Sequence, residues 1–270
     1  MENTARHKIT SDLRQSSEYA KYMRSIGWQV IGSKPQAFVR KLGILGSIAK
    51  IQRVNLPLTP ELIKTIKDQG VWMFKLEPIE YGALPSRFSQ DTWPMLATKT
   101  LRVDLRVSEK QIVDQFKKDC RYSLRKAEDT HPRFEFNNFD QFYSVWKKAS
   151  GIKKLWIPSR KEFDSLVSCF GKNCFCVTVN KLAGSLILIH DHVAYYYYSG
   201  ALPEGKTLNL PYFVIWECMK EAKKRECTTW DFEGIFDERF PNKGWRGFSH
   251  FKKSFGGYEV EFPGSFTRWF

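Results

Sequence analysis

Val193–Ile235, "VAYYYYSGALPEGKTLNLPYFVIWECMKEAKKRECTTWDFEGI", decides the fold. The tyrosine run alternates two faces like a strand, so about half of it is core, leaving Tyr196 and Tyr198 as the pair for a groove. Asn209, with Pro211 close behind, opens a long apolar-striped helix that runs to about Cys227. "TTWDFEGI" then returns as a buried strand. Upstream, "FCVTV" and "LAGSLILIH" read as two more strands, preceded by the amphipathic helices "FDQFYSVWKKAS" and "RKEFDSLVSCF".

The first half carries a shorter version of the same alternation. "SSEYAKYMRSIGW" places Tyr19, Met23 and Ile26 at helical spacing. "SIAKIQRVNLP" and "VWMFKLEP" alternate like strands and flank "TPELIKTIKDQG", where Thr59 caps, Pro60 opens and Gly70 closes a helix, giving β-α-β. "KTLRVDL" is a further strand. Ser108 with Gln111 forms a capping box that opens one helix carrying Ile112, Phe116, Cys120 and Leu124. These elements predict an α+β chain in two units, 1–132 and 133–270, with no heptad run for a coiled-coil arm.

Composition narrows the partners. A formal net charge of +14 from 43 Lys+Arg against 29 Asp+Glu favours a polyanion such as RNA, a diphosphate or an anionic membrane surface. Six cysteines in a chain of 270 residues need no disulfide framework, and the opening "MENTARHK" lacks a signal peptide's apolar stretch, so a cytoplasmic setting is expected. The longest apolar runs are far below the roughly 20 residues of a spanning helix. Cys169, Cys174 and Cys176 with His190 and His192 lack a zinc knuckle's spacing, so no metal is expected. "RKLGILG" nearly makes a pyrophosphate loop but has one residue too many and a strand behind it, so no CoA and no other cofactor is expected.

Near the end, "GFSHFKKSFGG" sets Lys252 and Lys253 between Phe251 and Phe255 and closes on Gly256 and Gly257. Together with "DLRVSEKQIVDQFKKDCRYSLRKAE", "SGALPEGKTLNLPYFVIWECMKEAKKRECTTWDFEGI" and the opening "LRQSSEYAKYMRSIGW", it resembles, in order and spacing, the motifs of the FemABX peptidyltransferases. The resemblance spans about Leu13 to Gly264. It implies two GNAT-like domains and transfer of an amino acid from aminoacyl-tRNA to an amine of the peptidoglycan stem peptide, on lipid II or UDP-MurNAc-pentapeptide, with peripheral contact at the inner face of the membrane.

By position, the resemblance makes Lys252, with Phe251 before it, the group that binds the tRNA end and stabilises the oxyanion; the plain alternative is a solvated basic strand end that helps tether a polyanion. Asp231 matches a family aspartate that could accept or orient the incoming amine's proton, or equally cap a loop, and Glu233 carries a weaker form of that claim. Arg24 falls near the first-helix phosphate position, where the family has a lysine. Arg160 with Phe163 stand near the family's Arg-x-x-x-Tyr pair, one residue out of step and without the hydroxyl. Lys253, Lys243, Arg246, Arg121 and Arg125 are the expected tRNA contacts, the last two being equally readable as a solvent-facing stripe. The competing functions are an idle tRNA-binding or cell-wall-precursor-binding protein of the same fold, and transfer to a different amine.

Overall fold

A computed structural model describes residues 11–270, and these form two units, each built on its own sheet. Residues up to Leu96 join Phe262–Phe270 in the first, and Ala97–Glu261 make the second. The boundary expected at 132/133 therefore falls inside the second unit. The cause is "KTLRVDL": this strand is hydrogen-bonded between two strands from the far end of the chain, which ties residues 97–132 to everything up to Glu261.

In the first unit, α1 (Ser17–Ser25) precedes β1 (Gln29–Ile31), β2 (Ala37–Lys41) and β3 (Ser47–Val54). There follow α2 (Pro60–Lys67), β4 (Val71–Pro78) and β5 (Ser89–Asp91), and the final strand β13 (Ser265–Trp269) completes a sheet in the order β1-β2-β3-β4-β13-β5. The β-α-β reading holds. Thr59 Oγ1 accepts from the Leu62 N–H at 3.3 Å, Pro60 occupies the first turn, and β3 lies parallel to β4. Phe74, Leu76, Ile51 and Ile66, none measurably exposed, form its core.

The second unit runs β6 (Lys99–Asp104), α3 (Glu109–Asp114), α4 (Lys118–Glu128), β7 (Phe134–Phe136), α5 (Phe139–Ile152), α6 (Arg160–Phe170), β8 (Cys174–Val179), β9 (Ala183–His190) and β10 (Val193–Ala201). It continues with α7 (Pro203–Thr207), α8 (Leu210–Lys224), β11 (Thr229–Asp231), α9 (Arg246–Lys253) and β12 (Tyr258–Glu261). Its sheet has the order β12-β6-β11-β10-β9-β8-β7, with β10 and β11 parallel across the α8 connection. Both units are α+β layers, as the sequence implied.

Three local features depart from expectation. The helix opened by the Ser108–Gln111 capping box breaks after Asp114 and restarts at Lys118. The break lets Phe116 turn into the core against Trp216 and Phe255, while the Lys117 N–H bonds the Ser254 carbonyl at 2.8 Å. Asn209 sits in the left-handed region at φ 57° and makes no side-chain cap to α8, so Pro211 in the first turn is left as the start signal. In β10 the pairing passes from Tyr196↔Ile187 to Tyr198↔Leu186, which makes Tyr197 the extra residue of a bulge and reverses the alternation beyond it.

The glycine pair that ends "FKKSFGG" is required by close approach. At Gly257, φ is 85° and a Cβ would lie 2.2 Å from the Arg102 carbonyl oxygen; at Gly256, φ is 71° and the gap to the Gln115 oxygen is 2.5 Å. Both oxygens belong to backbone that cannot step aside. Gly257→Ala should lower unfolding free energy by about 2 kcal/mol or more, read from urea denaturation; an unchanged midpoint would show that the β12–β6 approach yields easily.

Candidate active site

Helix α9 presents Lys252 from a short amphipathic turn anchored at both ends. Ser249 Oγ accepts from the Phe236 N–H and donates to the Trp245 carbonyl, both at 2.6 Å. Phe255, fully buried, packs against Phe232 and Phe116. Phe251 packs edge-on to Tyr212 with 4.9 Å between ring centroids. The lysine has little freedom left.

Its ammonium donates to two backbone carbonyls, those of Phe232 and Gly234, each at 2.7 Å. The rings of Phe248 and Tyr196 stand 4.9 and 5.7 Å from the nitrogen. Burial holds its pKa down to about 8, although Glu233 and Asp231 pull the other way. An ammonium has three N–H groups, and two are used by the carbonyls. Lys252 also lines a cavity of about 810 Å³ whose walls include Tyr196 and Tyr197 of β10, Tyr212 of α8, Phe251 and Glu233. Lys153 and Lys206 line it too, so three cations face one carboxylate among its lining residues.

The carbonyls point at Lys252 because the chain after β11 is held from behind. Asp231 accepts from Thr100 Oγ1 at 2.6 Å, from Arg102 Nε at 2.8 Å and from the Glu233 N–H at 2.8 Å. Thr100 Oγ1 in turn accepts from the Gly234 N–H at 3.1 Å. Burial would raise the Asp231 carboxyl, but the Arg102 charge and these hydrogen bonds outweigh it and hold the group below its usual range. Glu233 has φ 59°, and Gly234 has φ 129° with room for no Cβ, which would sit 2.5 Å from Ala97.

The expected site residues divide accordingly. Lys252, Phe251, Tyr196 and Glu233 come together on the cavity. Asp231 does not line it; at 2% exposure and with three donors, it serves as the loop cap of the two readings rather than as a proton acceptor for an incoming amine. Tyr198 is turned away by the bulge and stacks on Trp146 at 4.2 Å, and Tyr197 takes its place. Phe163, 1% exposed, is packed on Phe142, Tyr143 and Trp146 and is a core residue, not a substrate contact.

Arg160 is tied to Asp164 at 2.8 Å and to Asp140, away from the cavity lining. Arg24 is exposed on α1 in the first unit. Arg121 donates to the Phe116 and Asp114 carbonyls behind the helix break. Lys253 pairs with Glu259, and Arg246 lies over the Phe236 ring at 5.0 Å. Arg125 is exposed beside Lys117, Lys118 and Tyr122. The Lys243 side chain lies outside the described residues. Cys174 and Cys176 are buried strand residues, and burial pushes the Cys176 thiol up to about 12.

Lys153, Lys206 and Tyr197 escaped sequence reasoning. Lys206 lay inside the quoted "PEGKTLNLP" and could have been found from its place before α8. Nothing local marks Lys153.

Residues 176–269 match the FemAB family. That stretch contains every cavity-lining residue named above except Lys153. A FemX crystal structure superposes with a TM-score of 0.79 at 14% identity, over 96% of this chain and 92% of that one. The C-terminal domain of a putative lysylphosphatidylglycerol synthetase from Agrobacterium fabrum follows at 0.59 and 13% identity, over 94% of this chain and 87% of that one. L-PGS from Bacillus licheniformis gives 0.57 at 11%, over 92% and 86%. These likenesses establish the fold of the FemAB-matching chain. No curated protein sequence matches it.

Removing the charge behind the loop should be felt in stability first. Asp231→Asn leaves Arg102 buried without a counter-charge and should cost about 3–5 kcal/mol, measured by chemical denaturation; a loss under about 1 kcal/mol would mean that Arg102 finds water or another partner. Because the native carboxyl pKa is depressed, this contribution is present above the unfolded carboxylate pKa and fades as pH falls through the lower native value.

Proposed function

We propose that the chain is a FemABX-type aminoacyltransferase that moves an amino acid from aminoacyl-tRNA to an amine of the peptidoglycan stem peptide, carried by lipid II or by UDP-MurNAc-pentapeptide. The observation that supports this best is the Lys252 ammonium, held by two carbonyls at the wall of a cationic cavity inside the FemAB-matching residues.

The reaction needs little beyond what this site holds. The acceptor's amine nitrogen attacks the ester carbonyl carbon, and the carbonyl oxygen takes the negative charge. The third N–H of Lys252 stabilises that oxyanion in a water-poor setting, a contribution worth roughly 3–4 kcal/mol for a well-aimed donor. Collapse expels the terminal ribose oxygen of the tRNA, which leaves with the proton lost by the amine, and an amide remains. No covalent enzyme intermediate is required, since the ester is already activated, and holding both substrates in one cavity supplies much of the rate. Lys153 and Lys206 suit the phosphates that either substrate carries, and the Tyr196, Tyr197 and Tyr212 rings suit the stem peptide or a terminal base. The reaction uses neither CoA nor a metal ion.

Mass spectrometry of both acceptors after incubation with a mixed pool of charged tRNAs tests the reading. A gain of one aminoacyl residue is expected; tRNA binding with no product on either acceptor would favour a binding role or a different amine. Lys252→Ala should lower single-turnover transfer by about 10²–10³-fold while leaving the melting temperature near wild type, and wild-type rates in that variant would sink the mechanism.

The pH profile supplies an independent check. The catalytic form is the cation, so transfer should fall as pH rises through about 8, the value to which burial lowers Lys252. A basic limb displaced above about 10, where an unperturbed lysine titrates, would place the essential group elsewhere.

A further inference from the structure

The hairpin joining β2 to β3 ends in a tip that no packing requirement of the first unit explains. Leu42, Ile44 and Leu45 are 37%, 103% and 69% exposed around the Gly43–Leu45 turn. Hairpin tips ordinarily carry polar and turn-forming residues, so three aliphatic side chains projecting into water together call for an occupant.

The surroundings indicate its chemistry. Gly46, at φ 79°, allows Trp72 to come close, since a Cβ there would meet the indole at 3.1 Å. Trp72 stacks on Trp269 with ring centroids 5.5 Å apart and 22° between planes, and both indoles are partly exposed. The Phe270 N–H donates to the Trp72 carbonyl at 3.0 Å, which places that ring next in line. The Arg268 guanidinium and the Lys67 ammonium lie 4.5 and 5.9 Å from its centroid. Arg40 and Lys41, both exposed, immediately precede the tip. Across 40–46, 67–72 and 268–270 there are four cationic side chains, Arg40, Lys41, Lys67 and Arg268, and one acidic side chain, Asp68.

We propose that this tip docks the protein on an anionic lipid surface. Leu42, Ile44 and Leu45 enter the boundary between headgroups and acyl chains, Trp72 and Trp269 lie at headgroup depth, and the cations face anionic headgroups. Interfacial binding draws on these three contributions: buried apolar area, amphipathic indoles and basic residues close to the surface. Among the described residues no helix is long and apolar enough to cross a membrane, so such contact stays at the surface. Self-association through the same tip would press two basic collars together in a chain of net charge +14. The inference rests on the surface itself and holds whichever acceptor the cavity takes.

Co-sedimentation of the full chain with phosphatidylcholine vesicles, with and without phosphatidylglycerol, tests it. Wild type should bind the anionic vesicles, bind the neutral ones weakly, and release with added salt. The double variant I44D/L45D, altered only at exposed positions, should bind about tenfold or more weakly with an unchanged melting temperature and unchanged transfer to a soluble acceptor. Equal binding by variant and wild type, or no binding by wild type, overturns the proposal. So does a wild-type dimer in sedimentation velocity that the variant abolishes without any lipid binding, since the occupant is then a second copy. None of these readouts requires transfer to occur, so failure here and failure of the transferase reading remain separate results.

Discussion

An ammonium ion partly withdrawn from water needs oxygen atoms in place of the hydration it loses, and the loop after β11 supplies them to Lys252. The replacements are the Phe232 and Gly234 carbonyls. They aim at the lysine because Asp231, locked to Arg102 and Thr100, fixes the chain that carries them. Gly234 is needed because no Cβ fits there, and Phe255 is needed to seat the helix that delivers the lysine. The ammonium at the cavity sits on one side chain. Its geometry depends on a strand end, a buried ion pair and two backbone groups.

This explains which parts of the site were legible. Phe251, Lys252, Phe255 and the two glycines could be singled out because aromatic anchors and close-approach glycines leave a mark in sequence. The β-α-β unit around Thr59 and the capping box at Ser108 were readable for a similar reason: each is fixed by residues a few positions apart. The carbonyl cradle was invisible, since every residue owns a carbonyl. Asp231 drew attention to the right loop, but its place among Thr100, Arg102 and the Glu233 N–H emerges only when β6 lies beside β11. The bulge in β10 has no signal within "YYYY", where every position is the same residue, so strict alternation chose Tyr198 where the register chose Tyr197.

Charge was informative in total and misleading in detail. Arg160 is held by two carboxylates, Arg121 by helix-end carbonyls and Lys253 by Glu259, whereas Lys206 and Lys153, the latter marked by no motif, stand at the cavity. Net charge states how many cations exceed the anions. It does not state which are already engaged, because partners such as Asp140 and Asp164 are set by helix packing and spacing rather than by the surplus itself.

The placement of β13 also bears on how the molecule comes into being. Its residues, 265–269, lie between β4 and β5, and β5 has no other strand neighbour. During synthesis, residues 11–96 leave the ribosome first yet cannot close their sheet until Trp269 has followed, while residues 97–261 form an uninterrupted stretch with every strand of their own sheet already in hand. The segment made first is thus the one completed last. Through that interval the edge of β4 is open, a template for any passing strand, and the nascent chain has reason to be shielded there until its last strand arrives.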